Sequence, residues 1–392
     1  MWFNRTLLTL CCFPLALFAN SSATPGNFNL TRNGLVFSAD NGNYQGNFGG
    51  RLSYEANAFQ NNQHSLNNGA DLQEIYSALS ATFFQTWQFF TDQSWMRVNK
   101  LENLNLSYIG SSWFGITFGQ LTPSYGFSND AATPYTTMLT LSLPAYAFSP
   151  AYNVGSQIEL NSDHFAFYAS LTGPQIAENV PGHWPWAWTS RFFYSPVHTD
   201  TSVFHIGTSI WQQFPSSPDN FSISTVPQVI ALQPVSLIST PTISNTQSNI
   251  TPDLELAWIH HGLDIQAEYF LSRTIRTGNQ PDLTFRGYYL EGGYFLTGES
   301  FHYTYPGGYI DGVTKPHHSY GAIQLTAEWS YLNLNDADIV GGEQRGPFAG
   351  VSWYLNQNVI LKFNAGRIIA RLPDTNQRYY NNVYALKLIL LF

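Results

Sequence analysis

Apolar side chains recur at every second residue along most of this chain, with polar ones between them. Leu104, Leu106 and Tyr108 alternate with Asn103, Asn105 and Ser107, and Phe114, Ile116 and Phe118 alternate with Gly115, Thr117 and Gly119. Later, Ile265, Ala267, Tyr269 and Leu271 face away from Gln266, Glu268 and Ser272. The sharpest ladder sets Leu325, Ala327, Trp329 and Tyr331 against Gln324, Thr326, Glu328 and Ser330. A period of two belongs to an extended strand whose faces meet different surroundings. From Phe48 to the end there are about sixteen such ladders, which predicts an all-β fold with an even strand number.

The connections alternate between tight and long. Gln85-Thr86, Ser111-Ser112, Asn161-Ser162-Asp163 and Asn356-Gln357-Asn358 read as tight turns, whereas 60–72, 121–153, 215–251 and 333–346 read as long loops. A closed antiparallel transmembrane β-barrel needs this alternation, with short periplasmic turns and extended outer loops. The stretch 301–318 strains the scheme, because its parity calls for a short turn. A soluble sandwich with one wet face alternates in the same way. Long ladders and aromatic strand ends favour the barrel. No apolar run after the N-terminal segment reaches the roughly twenty residues of a membrane helix. Any span must then be made of closed strands, which leave no backbone polar group unpaired in lipid.

Composition sharpens this picture. Charged residues make up 10% of the chain, where about a quarter is usual, and aromatics reach 16%. Arg5, the apolar run from Leu7 to Ala19 and the small residues Ser21 and Ala23 predict a cleaved leader over 1–23. The expected layout continues with an N-terminal periplasmic segment, 24–46, and a barrel over 47–392. Cys11 and Cys12 both fall in the leader, so the mature chain carries no thiol for redox, metal or nucleophilic chemistry.

The last strand places Tyr384, Leu386, Leu388, Leu390 and the terminal Phe392 on one face. A chain-terminal aromatic strand of this kind looks like the signal read by the barrel-assembly machinery; any buried C-terminal strand would share the pattern. Other stretches carry a family likeness: Leu79-Ser80-Ala81-Thr82-Phe83-Phe84, Phe118-Gly119-Gln120, Ser142-Leu143-Pro144, Tyr294-Phe295-Leu296-Thr297-Gly298-Glu299, Tyr331-Leu332-Asn333-Leu334-Asn335-Asp336 and Gly341-Gly342-Glu343-Gln344. Through them most of the chain resembles the phosphate-selective porin O and P family of Gram-negative outer membranes. The resemblance implies a sixteen-stranded homotrimeric barrel among outer-membrane lipids, exported through the periplasm, whose third and fifth outer loops fold inward. By position those loops are 121–153 and 215–251.

Charge departs from that family. Phosphate selectivity needs Arg and Lys along the channel, because a dianion shedding water needs fixed positive charge. Where the resemblance leads one to expect bases, this chain has Thr122, Thr140 and Tyr152 near the third loop, and Glu74 and Tyr76 on the second strand. The formal net charge is −9, and loss of Arg5 with the leader lowers it by one more. Inward-facing Glu55, Glu159, Glu255, Glu268, Glu291 and Glu328 outnumber inward Arg51, Arg191 and Lys362. With Thr122, Tyr125, Asp130 and Tyr152 on the inward loop, these are the expected pore-lining residues. Such a lumen favours small cations over phosphate; carboxylates that pair with bases or face outward would remove the preference.

Other chemistries find little support. There is no Gly-x-Ser-x-Gly turn, and His164 and His205 have no nearby nucleophile in sequence. Adjacent pairs His260-His261 and His317-His318 point to opposite strand faces, which disfavours a shared metal. No cofactor motif appears, and the acidic balance disfavours nucleic acid. The reading is a porin for passive diffusion of small hydrophilic solutes and ions, with an outer-membrane adhesin or a structural barrel as the alternative.

Overall fold

The computed structural model of the chain describes residues 26–31, 34–60, 66–96, 100–131, 133–176, 178, 183–217, 221–228, 236–313, 315–373 and 377–392. The expected leader, 1–23, lies outside them. Strands dominate the rest. They run β1 (Asn27–Thr31), β2 (Gly34–Ala39), β3 (Tyr44–Gln60), β4 (Gly69–Phe83), β5 (Trp87–Ser94), β6 (Lys100–Tyr108), β7 (Phe114–Leu121), β8 (Asn153–Asn161), β9 (Phe165–Thr172) and β10 (Trp186–His198). The second half holds β11 (Ser202–Phe214), β12 (Thr246–His260), β13 (Leu263–Arg276), β14 (Leu283–Phe295), β15 (Phe301–Thr304), β16 (Tyr309–Val313), β17 (Ala322–Asp336), β18 (Ile339–Tyr354), β19 (Val359–Arg371) and β20 (Arg378–Leu391).

From β3 to β14 each strand pairs antiparallel with the next, β14 passes to β17, and β17 to β20 continue in order. β20 then pairs with β3, Leu391 opposite Arg51, and closes a sixteen-stranded barrel. The seam ends in a backbone exchange in which Gly50 N–H donates to Phe392 O at 2.7 Å and Phe392 N–H donates to Gly50 O at 3.0 Å. Closure leaves no open edge within the sixteen barrel strands.

The period-two ladders sort as the sequence requires. On β12, Leu254, Leu256 and Trp258 stand on the outside, 61%, 40% and 42% exposed, while Asp253 and Glu255 are buried within. Phe84, Trp113, Trp258, Tyr294 and Trp353 stand exposed beside the short-turn ends, as an interfacial aromatic girdle does.

Four segments differ from expectation. Residues 27–39 form a hairpin whose second strand pairs with the start of β3, and β3 begins at Tyr44, ahead of 47. The expected long loop 333–346 is instead a continuation of β17 and β18, which meet in a tight turn at Ala337 with φ 46°. The fifth loop ends at Thr246, where β12 starts. Finally, 301–318 holds the small hairpin β15–β16, which packs into the barrel interior instead of acting as a turn.

The third loop enters the barrel through two short helices, α1 (Phe127–Asp130) and α2 (Leu143–Phe148). Ser142 caps α2 by accepting from Ala145 N–H, with Pro144 in its first turn. An apolar cluster of Tyr125, Leu143, Phe148, Ile238, Phe270 and Phe285 joins the third and fifth loops to the inner wall. A second cluster, including Phe127, Phe301, Tyr303 and Ile310, joins the third loop to β15–β16.

Candidate functional site

The inward segments fill one half of the lumen, and polar groups on the wall fasten them there. Buried backbone amides need acceptors, and Glu268 on β13 supplies them. Phe127 N–H donates to it at 2.6 Å, Ser128 Oγ at 2.6 Å and the Tyr289 hydroxyl at 2.5 Å. Arg191 on β10, fully buried, holds three elements together. It donates to Glu255 on β12 at 2.7 Å, to Asp130 of α1 at 2.8 Å, and to the carbonyls of Gly307 and Gly308 between β15 and β16 at 3.1 and 2.8 Å. Burial pushes the Asp130 carboxyl up to about 6, with Arg191 beside it acting in the opposite sense.

The same hairpin is tied at its flanks. Tyr303 OH and His205 Nδ1 are 2.8 Å apart, Tyr168 OH donates to Pro306 O at 3.0 Å, and Tyr305 OH donates to Ser162 O. Farther along the third loop, Lys362 Nζ donates to Thr136 O at 2.5 Å and Lys387 Nζ to Leu139 O at 3.5 Å. The fifth loop adds Thr225 Oγ1 to Leu143 O at 3.0 Å and Gln228 Nε2 to Glu328 at 2.5 Å. Between the third loop and Gln266, Tyr289 and Glu291 only about 10 Å³ remains, room for one water.

Space survives on the opposite side, along β3 to β8. Inward Ser80, Asn105, Thr117 and Gln157 are half-buried, whereas their counterparts Ser209, Gln266, Gln324 and Ser352 on the filled side are buried. A cavity of about 350 Å³ lies between the wall residues Asn47, Arg51, Tyr76 and Phe90, Tyr135 of the third loop and Asp311 of β16. Arg51 pairs in two-pronged fashion with Glu74, both contacts at 2.7 Å, and lies 3.8 Å from the centre of the Tyr76 ring. Tyr76 OH donates to Asp92 at 2.5 Å, and Asn103 N–H donates to Asp92 at 2.7 Å. Tyr152 OH donates to Glu102 at 2.9 Å, with Lys100 Nζ 5.1 Å from the Tyr152 ring centre.

The expected pore-lining residues therefore fall into two groups. Arg51, Tyr152 and Glu159 lie on the open side, and Thr122 is half-buried where the third loop begins. Tyr125 and Asp130 of the third loop reach out to the wall, and Arg191, Glu255, Glu268, Glu291, Glu328 and Lys362 point inward but meet the packed loops and hairpin. Glu55 is also fully buried, 3.8 Å from Lys387 Nζ. On the last strand Tyr384, Leu386, Leu388, Leu390 and Phe392 face outward. Sequence reasoning passed over Asp92, Glu102 and Lys100. The signal for Asp92 was present, because it shares strand parity with Gln88 and Phe90. Glu102 was harder, since the β5–β6 register shifts beside it, between Asp92 and Gln93.

The family model for phosphate-selective porin O and P matches residues 43–381. The chain belongs to that family. Porin O of Pseudomonas aeruginosa is 20% identical over 383 residues, 87% of this chain and 86% of that one. Among solved structures, the in-vitro folded OmpT of Vibrio cholerae in its trimer form aligns with a TM-score of 0.57 at 10% identity, covering 89% of this chain and 99% of that one. The anion-selective porin of Comamonas acidovorans aligns at 0.54 with 8% identity, covering 89% and 100%. Those two likenesses concern the fold. The protein is an outer-membrane porin, a channel for small solutes in the bacterial outer membrane.

Proposed function

We propose that this porin conducts small hydrophilic solutes and ions passively along the β3–β8 side of its lumen, prefers cations, and is not selective for phosphate. One observation carries the reading. Among the described residues on the open side the carboxylates Glu74, Asp92, Glu102 and Glu159 outnumber Arg51 and Lys100, and Arg51 is already paired with Glu74. Fixed charge of one sign concentrates the opposite ion within a Debye length, roughly 8 Å at physiological salt, a distance comparable to a narrow pore. Arg191 and Lys362, which would serve an anion, are buried in contacts with the plug formed by the third loop and the β15–β16 hairpin.

The barrel acts as a homotrimer and catalyses no reaction in this reading. The trimeric form of the Vibrio cholerae neighbour supports the first part. For the second, membership of the porin family is the support. The outward apolar face of β20, from Tyr384 to Phe392, suits both lipid and the barrel-assembly machinery.

Planar-bilayer recording of the refolded protein in a KCl gradient tests the selectivity. A reversal potential on the cation side, with chloride current unaffected by phosphate, is the expected result. Reversal on the anion side with block by phosphate would overturn it, and absence of conductance would favour an adhesin.

A further inference from the structure

The cavity of about 350 Å³ beside the plug has a lining unlike the rest of the open wall. Phe90 and Tyr76 on the wall and Tyr135 on the third loop present rings, and Gly49 and Gly50 add no side chain. Its size falls at the small end of ligand-binding cavities. Asn47 lines it too, and its amide oxygen is buried without a hydrogen-bond donor. Such an orphan normally has an explanation, and rotation of the amide about χ2 exchanges its oxygen with its nitrogen.

Charge narrows the class of occupant. Arg51 is spent on Glu74 by two contacts at 2.7 Å, no second base lines the cavity and Asp311 adds a carboxylate, so an anion finds no clamp. A purely aromatic solute would leave the Asn47 acceptor empty, and a flexible polyol would leave the rings unused. A pyranose sugar has both properties, an apolar C–H face for ring stacking and hydroxyl donors around its edge. We propose that this cavity is a subsite for neutral pyranose sugars, held between the Tyr135 and Phe90 rings with a hydroxyl donating to Asn47. The subsite rests on the channel reading but not on its cation preference.

Maltose is the probe. Added to bilayers carrying the porin, it should block ion current saturably, while glycerol at matched viscosity lowers the current only in proportion to viscosity. Tyr135→Ala and Asn47→Leu should each raise the half-blocking concentration roughly fivefold, the loss of one hydrogen bond or stacking contact. Phe90→Leu, a mild change on the rigid wall, should shift it in the same direction if the loop variant folds poorly. Equal, unsaturable effects of maltose and glycerol would overturn the subsite, as would a saturable block unchanged in all three variants. Saturation-transfer NMR of maltose with the micelle-embedded protein reads occupancy without any current. Transfer that the Asn47→Leu variant weakens upholds the subsite even in a non-conducting preparation, and no transfer to the wild type rejects it. Conductance itself decides the channel reading separately.

Discussion

Arg191 Nη2 donates to the carbonyl oxygen of Gly308 across 2.8 Å, fastening the periplasmic hairpin to the barrel wall. The same guanidinium reaches Asp130 of the third loop, so two segments entering from opposite ends of the barrel share one anchor. Arg191→Met removes that anchor and leaves Glu255 buried beside only a histidine and a serine hydroxyl. Breaking one partner of a buried ion pair costs about 3–5 kcal/mol. Urea unfolding in detergent should show a loss of that size, and single-channel records should become noisier as the plug loosens. A variant within about 1 kcal/mol of wild type would show that the anchor contributes little.

The Asp130 carboxyl makes the plug sensitive to pH. In the native barrel it keeps its proton up to about 6, against an ordinary value of 3.8. Between these values the native state binds more protons than the unfolded chain, so stability from this group falls as pH rises through the window. Asp130→Asn does not titrate. Its stability relative to wild type should therefore climb from pH 4 to pH 6, by at most about 3 kcal/mol, and level off above roughly pH 7. Unfolding curves across that range check it, and a difference independent of pH would refute the assignment.

The hairpin β15–β16 takes up lumen that solutes would otherwise cross. β14 and β17 already meet at their periplasmic ends, where Leu296 N–H donates to Ile323 O at 2.8 Å, so a short turn can replace residues 300–318. Removing the hairpin should raise single-channel conductance about twofold or more, because the constriction limits ion flow. Unchanged conductance would place the narrowest point elsewhere.

Two glycines separate close contact from backbone strain. Gly119 has φ 129°, and a Cβ there would lie 2.2 Å from Leu104 O in the neighbouring strand. Gly119→Ala should destabilise the barrel by about 3 kcal/mol or more. Gly278, at φ 78°, has nothing within 4 Å of the same position, and Gly278→Ala should cost only about 1 kcal/mol. Equal losses in refolding assays would mean that the strand contact at Gly119 relaxes freely.

The barrel was legible in the sequence because lipid and lumen impose opposite demands on adjacent residues, as Leu325 and Gln324 show. The contents of the lumen were less so. Alternation reveals that Glu255, Glu268 and Lys362 point inward but carries no information about a loop or hairpin arriving from elsewhere to cover them. Phe301, Tyr303 and Tyr305 do alternate with His302 and Thr304, but over too few residues to be told from a turn that is merely long. The error at 333–346 has another origin. Asn333, Asn335, Asp336 and Asp338 resemble loop residues, yet Asn333 and Asn335 satisfy their own strand irregularity, the Asn335 N–H donating to Asn333 Oδ1 at 3.0 Å.

The seam between Gly50 and Phe392 also bears on how the molecule is made. The strand that opens the barrel pairs along its outer half with the strand that closes it, and these are the most widely separated segments of the barrel sequence. Contacts so distant in sequence form slowly. Until β20 arrives, β3 keeps an unpaired row of amides and carbonyls, open to any other strand. The first barrel strand to emerge from the export machinery thus waits longest for its partner, and a chain stalled before its last strand is primed to join a second stalled chain at that edge.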